Sequence, residues 1–399
     1  MPGEVPLYPL ATLLFLAAAA VFTLRMARHL RVFAAAQPAA MDDQPGFRFR
    51  SLLVYSIAQV RMFRDLQAGL MHAAIFWGFV ILTVGTANRV FFGLIEAVVR
   101  PWFGGLLWGL LLLGQNLLAI SVLGAVGYAI VRRTLVRPRR LTLSLDGLRI
   151  LLLIAGVVAT ELLAEAFRLA HQPDDLAAWS VVAAPLGGLF GRLLPVPVLD
   201  ALFALSWWAN IGIVCFFLVY LPRSKHLHIA TSFFNALFRK VRPRGELPPM
   251  DLEAETARFG VKTIEDLSWK DLLDGFTCTE CGRCQDACPA WATGKPLNPK
   301  TLIMGLREMS VEAEAGMPLL PFIAPRADGD GRALNADALA RPVVDSAIPY
   351  DAVWDCVTCG ACVEACPVLI EHVDKIVGLR RNLVLEESRF PAELTAAFT

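Results

Sequence analysis

Five stretches of this chain are too apolar and too long for the surface of a soluble protein. They lie at about 6–24, 67–90, 104–131, 148–170 and 199–221, with few charges inside them and Gly, Ala and Leu predominant. A helix needs about 20 residues to cross a hydrocarbon core, and small residues let such helices pack closely in lipid. Five membrane-spanning helices are therefore expected. The composition agrees, with 56% hydrophobic and 18% charged residues and a mean hydropathy of +0.54.

The first apolar run, Leu7 to Leu24, has no positive charge before it and Arg25, Arg28 and Arg31 after it. A secretory signal carries its positive charges first, so this run reads as a retained anchor in spite of the alanines at 17–20. The stretch 176–197 is also apolar. Its Pro185, Pro195, Pro197, Gly187 and Gly188 mark it as a loop or interfacial segment.

Charges between the spans orient them. Arg25, Arg28, Arg31, Arg48, Arg50, Arg61 and Arg64 separate spans one and two, and Arg132, Arg133, Arg137, Arg139 and Arg140 separate three and four. Arg223, Lys225, Arg239, Lys240, Arg242 and Arg244 follow span five, whereas the two remaining loops carry few cations. Positive loops face the cytoplasm, which puts the N-terminus outside the cytoplasmic membrane and everything after span five inside. The net charge of +1 averages over this uneven placement, and nucleic acid is not an expected partner.

From about residue 246 the composition changes. Pro248 and Pro249 open a linker, the charged stretch 251–270 is expected to be helical, and the region near 327–340 reads as a surface loop. This second domain, 246–399, holds eight of the nine cysteines in two runs of one spacing. They are Cys278-x2-Cys281-x2-Cys284-x3-Cys288-Pro289 and Cys356-x2-Cys359-x2-Cys362-x3-Cys366-Pro367. In two-cluster ferredoxins three thiolates of such a run wrap one [4Fe-4S] cube and the fourth reaches the other. The expected sets are Cys278, Cys281, Cys284 and Cys366 for cluster one, and Cys356, Cys359, Cys362 and Cys288 for cluster two. Paired CxxC motifs also bind zinc, but zinc does not require the x3-Cys-Pro ending twice. Gly294-Lys295 is no phosphate loop, since the upstream glycine is absent and Pro296 stands where Ser or Thr is needed.

A ligating side chain at membrane depth is costly and hence a functional candidate. His72 lies just inside the cytoplasmic end of span two, and His226 and His228 lie just past span five. They share a level, so one haem b could be held between His72 and either His226 or His228. His29, among arginines, reads as interfacial. His171 belongs to a loop or quinone-side site at the opposite face, His372 to the surface, and lone Cys215 is a small buried hydrophobe. Arg61, Arg64, Asp65 and His29 could border a quinone pocket, although helix-end anchoring is the simpler role.

The stretch Met71-His72-Ala-Ala-Ile-Phe76-Trp77-Gly78-Phe79, with Tyr220-Leu-Pro222-Arg-Ser224-Lys225-His226-Leu-His228, resembles the b-haem membrane domain of the nitrate reductase gamma-subunit type. The cysteine domain, with Gly294-Lys295-Pro296-Leu297-Asn298-Pro299-Lys300, resembles the iron–sulfur subunit of heterodisulfide reductases. Their fusion is similar to membrane iron–sulfur oxidoreductases of the electron-transfer-flavoprotein:menaquinone oxidoreductase type. The resemblance implies a mainly α protein: a five-helix haem b bundle over 1–245, then a cytoplasmic, α-helical, ferredoxin-like domain with two [4Fe-4S] clusters. It implies His72 and His228 as axial ligands. A second haem pair would fall on Leu82 and Asn210, neither of which suits iron, so one haem is the expected count. It further implies electron transfer from a soluble flavoprotein through clusters and haem to menaquinone. Members of that family continue into cysteine-rich repeats; here a separate subunit would carry them, or the sequence is a fragment. The alternatives are a relay subunit of a heterodisulfide-reductase-like complex, flow in reverse from quinol, and a membrane-anchored redox sensor.

Overall fold

The computed structural model describes residues 8–39, 43–91, 93–241, 243, 245–250, 252–253, 258–314 and 334–398. Leu7, Arg242, Arg244, residues 251 and 254–257, and residues 327–333 of the expected loop lie outside these. Among the described residues there are helices and no strands, with two isolated bridges, Gln37 to Ser268 and Val344 to Ile348. The chain forms two compact units that interleave in sequence. The first comprises Met1–Phe22, Met62–Pro138 and Leu143–Pro222; the second comprises Thr23–Arg61, Arg139–Thr142 and Arg223–Thr399.

Among the described residues five helices are long and apolar enough to cross a membrane. They are α1 (Tyr8–Ala35), α2 (Leu66–Val90), α3 (Leu94–Val131), α4 (Leu145–His171) and, after the short α5 (Ala183–Leu193), α6 (Val196–Tyr220). At about 1.5 Å per residue even the shorter of these exceeds a core of about 30 Å. Helix ends are fixed by polar side chains. Asp65 accepts from the Ala68 N–H at 3.2 Å and so caps α2, and Asn88 accepts from the Glu96 N–H at 2.9 Å at the start of α3. That capping lets α3 begin ten residues before the expected boundary and run through Pro101.

The first unit packs through aliphatic side chains of several helices. Leu82 on α2 meets Ala119, Val122 and Val126 on α3 and Leu151 and Val158 on α4. Gly78 lets α2 and α3 pack tightly, since a Cβ there would collide with the Val122 side chain. The stretch expected as a loop at 176–197 contains helix α5. Pro185 is tolerated because it lies in the first turn, where its missing N–H costs nothing. Asn116 Oδ1 accepts from the Val182 and Ala183 N–H groups at 3.1 and 2.9 Å, supplying the partner that this helix start lacks.

The second unit has α7 (His228–Leu237), α8 (Trp269–Thr277), α9 (Pro299–Ala313) and α10 (His372–Leu385) around one apolar core. The helix expected over 251–270 is absent from its described part. Instead Thr263 and Ser268 each form a capping box, with Asp266 and Asp271, so a short turn at Ile264–Asp266 precedes α8. Side chains of this type compete with helix interior hydrogen bonds and favour starts. The segment 23–61 belongs to this unit because Gln37 exchanges backbone hydrogen bonds with Leu267 and Trp269 at 2.9 and 3.0 Å. Arg48 also donates to the carbonyls of Leu237 and Arg239.

Candidate functional site

The two cysteine runs repeat in backbone as well as in spacing. Glu280 and Thr358 hold φ of 56° and 53°, and Gly282 and Gly360 hold 73° and 72°. Glycine adopts that conformation freely while other residues are strained by it. Each run therefore makes the same tight loop, followed by a short helix at Arg283–Asp286 or Ala361–Ala365.

The fourth cysteine of each run faces the other run. Burial, then the nearby Cys281 and Cys278 thiols, push the Cys366 thiol up. Cys284 is raised by burial and then by Cys366, Cys278 and Cys281. Cys362 is pushed up to about 12 by burial, then by Cys356 and, among others, by Cys288 and Cys359. A cleft is lined by Cys288, Cys356, Cys359 and Cys362, with Pro289 and Val357 beside them. Thiols crowded in this way stay protonated on their own, and a positively charged centre is what would stabilise them as thiolates. The donor set fits an iron–sulfur cube. Among the described residues no group of three or more His, Cys, Asp or Glu converges as a single metal ion requires. Backbone N–H groups reach the sulfurs, from Thr358 to Cys356 Sγ at 3.3 Å and from Ile370 to Cys366 Sγ at 3.4 Å. Such bonds are one of the levers that set a cluster's potential.

Arginines brace both loops. Arg61 donates to the carbonyls of Val363 and Cys366 at 3.0 and 3.1 Å and pairs with Glu364 at 3.3 Å. Within its unit Arg61 thus holds the second cysteine run. Asp65, expected beside it, is the α2 cap and pairs with Arg132 at 3.6 Å. Arg380 donates to the carbonyls of Val353, Trp354 and Cys356. Glu280, between two cysteines, pairs with Arg307 at 2.6 Å and stands 3.8 Å from Lys225. Lys375 bridges Asp271 and Asp274 at 2.8 and 2.6 Å, and Lys270 pairs with Asp274 at 2.7 Å. This buried network ties α8, which leads into Cys278, to the start of α10 just after Cys366. No local pattern marked Arg61, Arg380 or Lys375 as partners, because each is paired with residues far away in sequence.

The histidines divide between the units. His72 lies on α2 in the first, with its ring stacked 6.5 Å from that of Phe76. His226 and His228 lie in the second, their rings 5.3 Å apart. His228 is half-buried, desolvation lowers its pKa, and its Nδ1 is 3.0 Å from the Lys225 carbonyl. Leu82 is packed in the first unit's core, and Asn210 donates to the Val157 carbonyl and to Thr160 Oγ1. Two bland expectations change. His372 is 1% exposed rather than a surface residue, since α10 starts with it inside the core and its Nδ1 meets the Ile370 carbonyl at 3.1 Å. His29 is buried against Phe276 with its Nδ1 2.6 Å from Glu314 Oε1, so protein rather than a membrane interface surrounds it. His171 ends α4 and its Nδ1 is 2.8 Å from Asp200 Oδ1. Cys215 packs, half-buried, against Trp207 and Ile211.

Residues 277–370 match the family of 4Fe-4S dicluster domains. Five membrane-length helices with such a domain define a membrane iron–sulfur protein. The chain is 36% identical over 379 residues to the EtfAB:quinone oxidoreductase of Syntrophomonas wolfei, covering 90% of this chain and 52% of that protein. It is 32% identical over 382 residues to the probable iron-sulfur-binding oxidoreductase FadF of Bacillus subtilis, covering 91% and 54%. A probable membrane-anchored ferredoxin of Chromohalobacter salexigens is 39% identical over 151 residues, 37% of this chain and 22% of that one. No solved structure matches. The chain is thus similar to these proteins over most of its own length, and it spans about half the length of the first two.

Proposed function

We propose that the chain is the electron-transfer part of a quinone-linked oxidoreductase, carrying electrons from a soluble flavoprotein to menaquinone. The observation that carries this reading is the pair of crossed thiol sets in a chain with five membrane-length helices. The name of the Syntrophomonas relative adds the flavoprotein and the quinone. In this reading Cys278, Cys281, Cys284 and Cys366 hold one [4Fe-4S] cluster, and Cys356, Cys359, Cys362 and Cys288 hold the other. His72 and His228 hold haem b, with His226 as the alternative to His228, and the membrane part and the cysteine domain divide near residue 245.

When bound, the clusters and haem supply one-electron carriers in series. The chain's own residues hold and tune them. Arg61 and Arg380 clamp the carbonyls of Cys366 and Cys356, the last and first cysteines of the second run. The Lys225 carbonyl fits His228 to present Nε2 to a metal, as a carbonyl behind a ligating imidazole does. The arginine-rich side, with the cysteine domain, faces the cytoplasm.

A dithionite-reduced-minus-oxidised spectrum of the purified chain, with iron and haem counted, tests the reading. About eight irons, as two cubes contain, and one b haem are expected, and His72→Ala and His228→Ala should each remove the haem band while leaving the iron. Four irons or fewer, or a haem retained in both variants, would overturn it.

A further inference from the structure

The two thiol sets differ in how they meet solvent. In the set with Cys366, three of the four cysteines are buried and Cys281 is half-buried. Its loop is closed over by backbone, since a Cβ on Gly282 would collide with the Arg140 carbonyl, and Arg61 lies on the Cys366 carbonyl. In the other set Cys359 is exposed, and it is the one exposed cysteine among the eight. Beside it Val357 is 66% exposed, and Trp291, at the end of the short helix that follows Cys288, is 41% exposed. Lys295 and Asp355, 3.8 Å apart, sit close by as a neutral pair. Exposed large apolar side chains at the rim of a functional cleft mark an interaction surface more often than isolated ones do.

We propose that the surface of Val357, Thr358, Cys359 and Trp291 is where a soluble protein one-electron donor docks, so that electrons reach the set of Cys288, Cys356, Cys359 and Cys362 first. This rests on the dicluster reading above. Electron transfer weakens steeply with distance, and this set has the one exposed cysteine among the eight. Redox encounters are small and transient, and an apolar patch with a self-neutralised rim gives an association that salt changes little, unlike one steered by charge. The patch therefore fits a partner with a similarly apolar, weakly charged contact face.

The test uses the full chain with its clusters, and reduced electron-transferring flavoprotein as the probe. Val357→Glu should slow second-order reduction at least tenfold while the paramagnetic signals of both clusters and reduction by dithionite persist. Val311→Glu, an exposed position on α9, should leave the rate unchanged. An unchanged rate in Val357→Glu, or a wild-type rate that falls tenfold between low and high salt, would overturn the docking surface. A flavoprotein that reduces no form of the chain would count against the donor assignment alone, and the port is then decided by a paramagnetic lanthanide chelate in solution. The chelate should broaden the signal that Cys359→Ser alters. Broadening of the signal that Cys281→Ser alters would refute the port.

Discussion

Replacing Asp274 with Asn removes the negative charge at the centre of the network that joins α8 to α10. The Asp274 and Lys375 side chains have no solvent exposure, and that of Lys270 has 3%. Burial pushes the Asp274 carboxyl up, but Lys270 and Lys375 outweigh it and hold the group well below the carboxylate range. In the variant, Asp271 still serves Lys375 at 2.8 Å and Glu371 still stands 3.8 Å from Lys270. The loss is therefore that of one partner in a buried ion pair, about 3–5 kcal/mol. That is a large share of the roughly 5–15 kcal/mol that holds a domain folded. At about 2–4 °C per kcal/mol for a unit of this size, the unfolding midpoint should fall by about 6–20 °C. The Glu371 N–H also donates to Asp274 Oδ2 at 3.1 Å, five residues after Cys366. The cluster on that set should therefore be released before the rest of the unit unfolds. Visible absorbance and tryptophan fluorescence, followed together on heating, read both events. A midpoint within about 2 °C of the parent, far below the shift expected from a broken buried pair, would refute the view that this network holds the two halves of the cysteine domain in place.

Three further outcomes follow from the same structure. Cys366→Ser should lower the iron count by about four, the content of one cube, and abolish the signal of the set with Cys278 while the other remains. Burial, and then Lys375, push the His372 imidazole down to about 4. Its folded pKa lies below the unfolded value of about 6.5, so the stability it contributes is present above pH 6.5 and is lost as pH falls towards 4. The loss should approach about 1.4 kcal/mol per pH unit, measured as denaturation midpoint against pH, and His372→Asn should flatten that slope. In the first unit, Glu161→Ala leaves the mostly buried Arg89 without the carboxylate 3.6 Å away. It should lower the midpoint in detergent, whereas Glu96→Ala at an exposed pair should change it little.

Much of the architecture was legible because it depends on local composition. Runs of some 20 apolar residues have helix as the way to satisfy their backbone in lipid, and five such runs are five helices here. The cysteine spacing likewise dictates two tight loops, and the backbone repeats at Glu280 with Gly282 and at Thr358 with Gly360. Ion pairs and caps made across long distances were not legible. Asn116 lies 66 residues before the Val182 N–H it accepts from, so nothing near residue 182 announced that a helix would start there. Thr263 and Ser268 look like ordinary members of a charged stretch until their capping boxes break it.

The sequence by itself determined which five segments suit lipid as helices, though not where each helix ends, and which residue types could bind iron. Those properties belong to short windows of chain, and the bilayer and the cluster act on each window separately. Only the tertiary structure decided that His372 and His29 are buried, that Arg61 and Arg380 clamp cysteine carbonyls, and that one thiol set is enclosed while the other reaches the surface. Burial and charge pairing depend on which distant segments fold against each other, here residues 23–61, 139–142 and 223–399 gathered into one unit. A side chain's neighbours in space, and hence its charge state and its access to a partner, are set by that gathering.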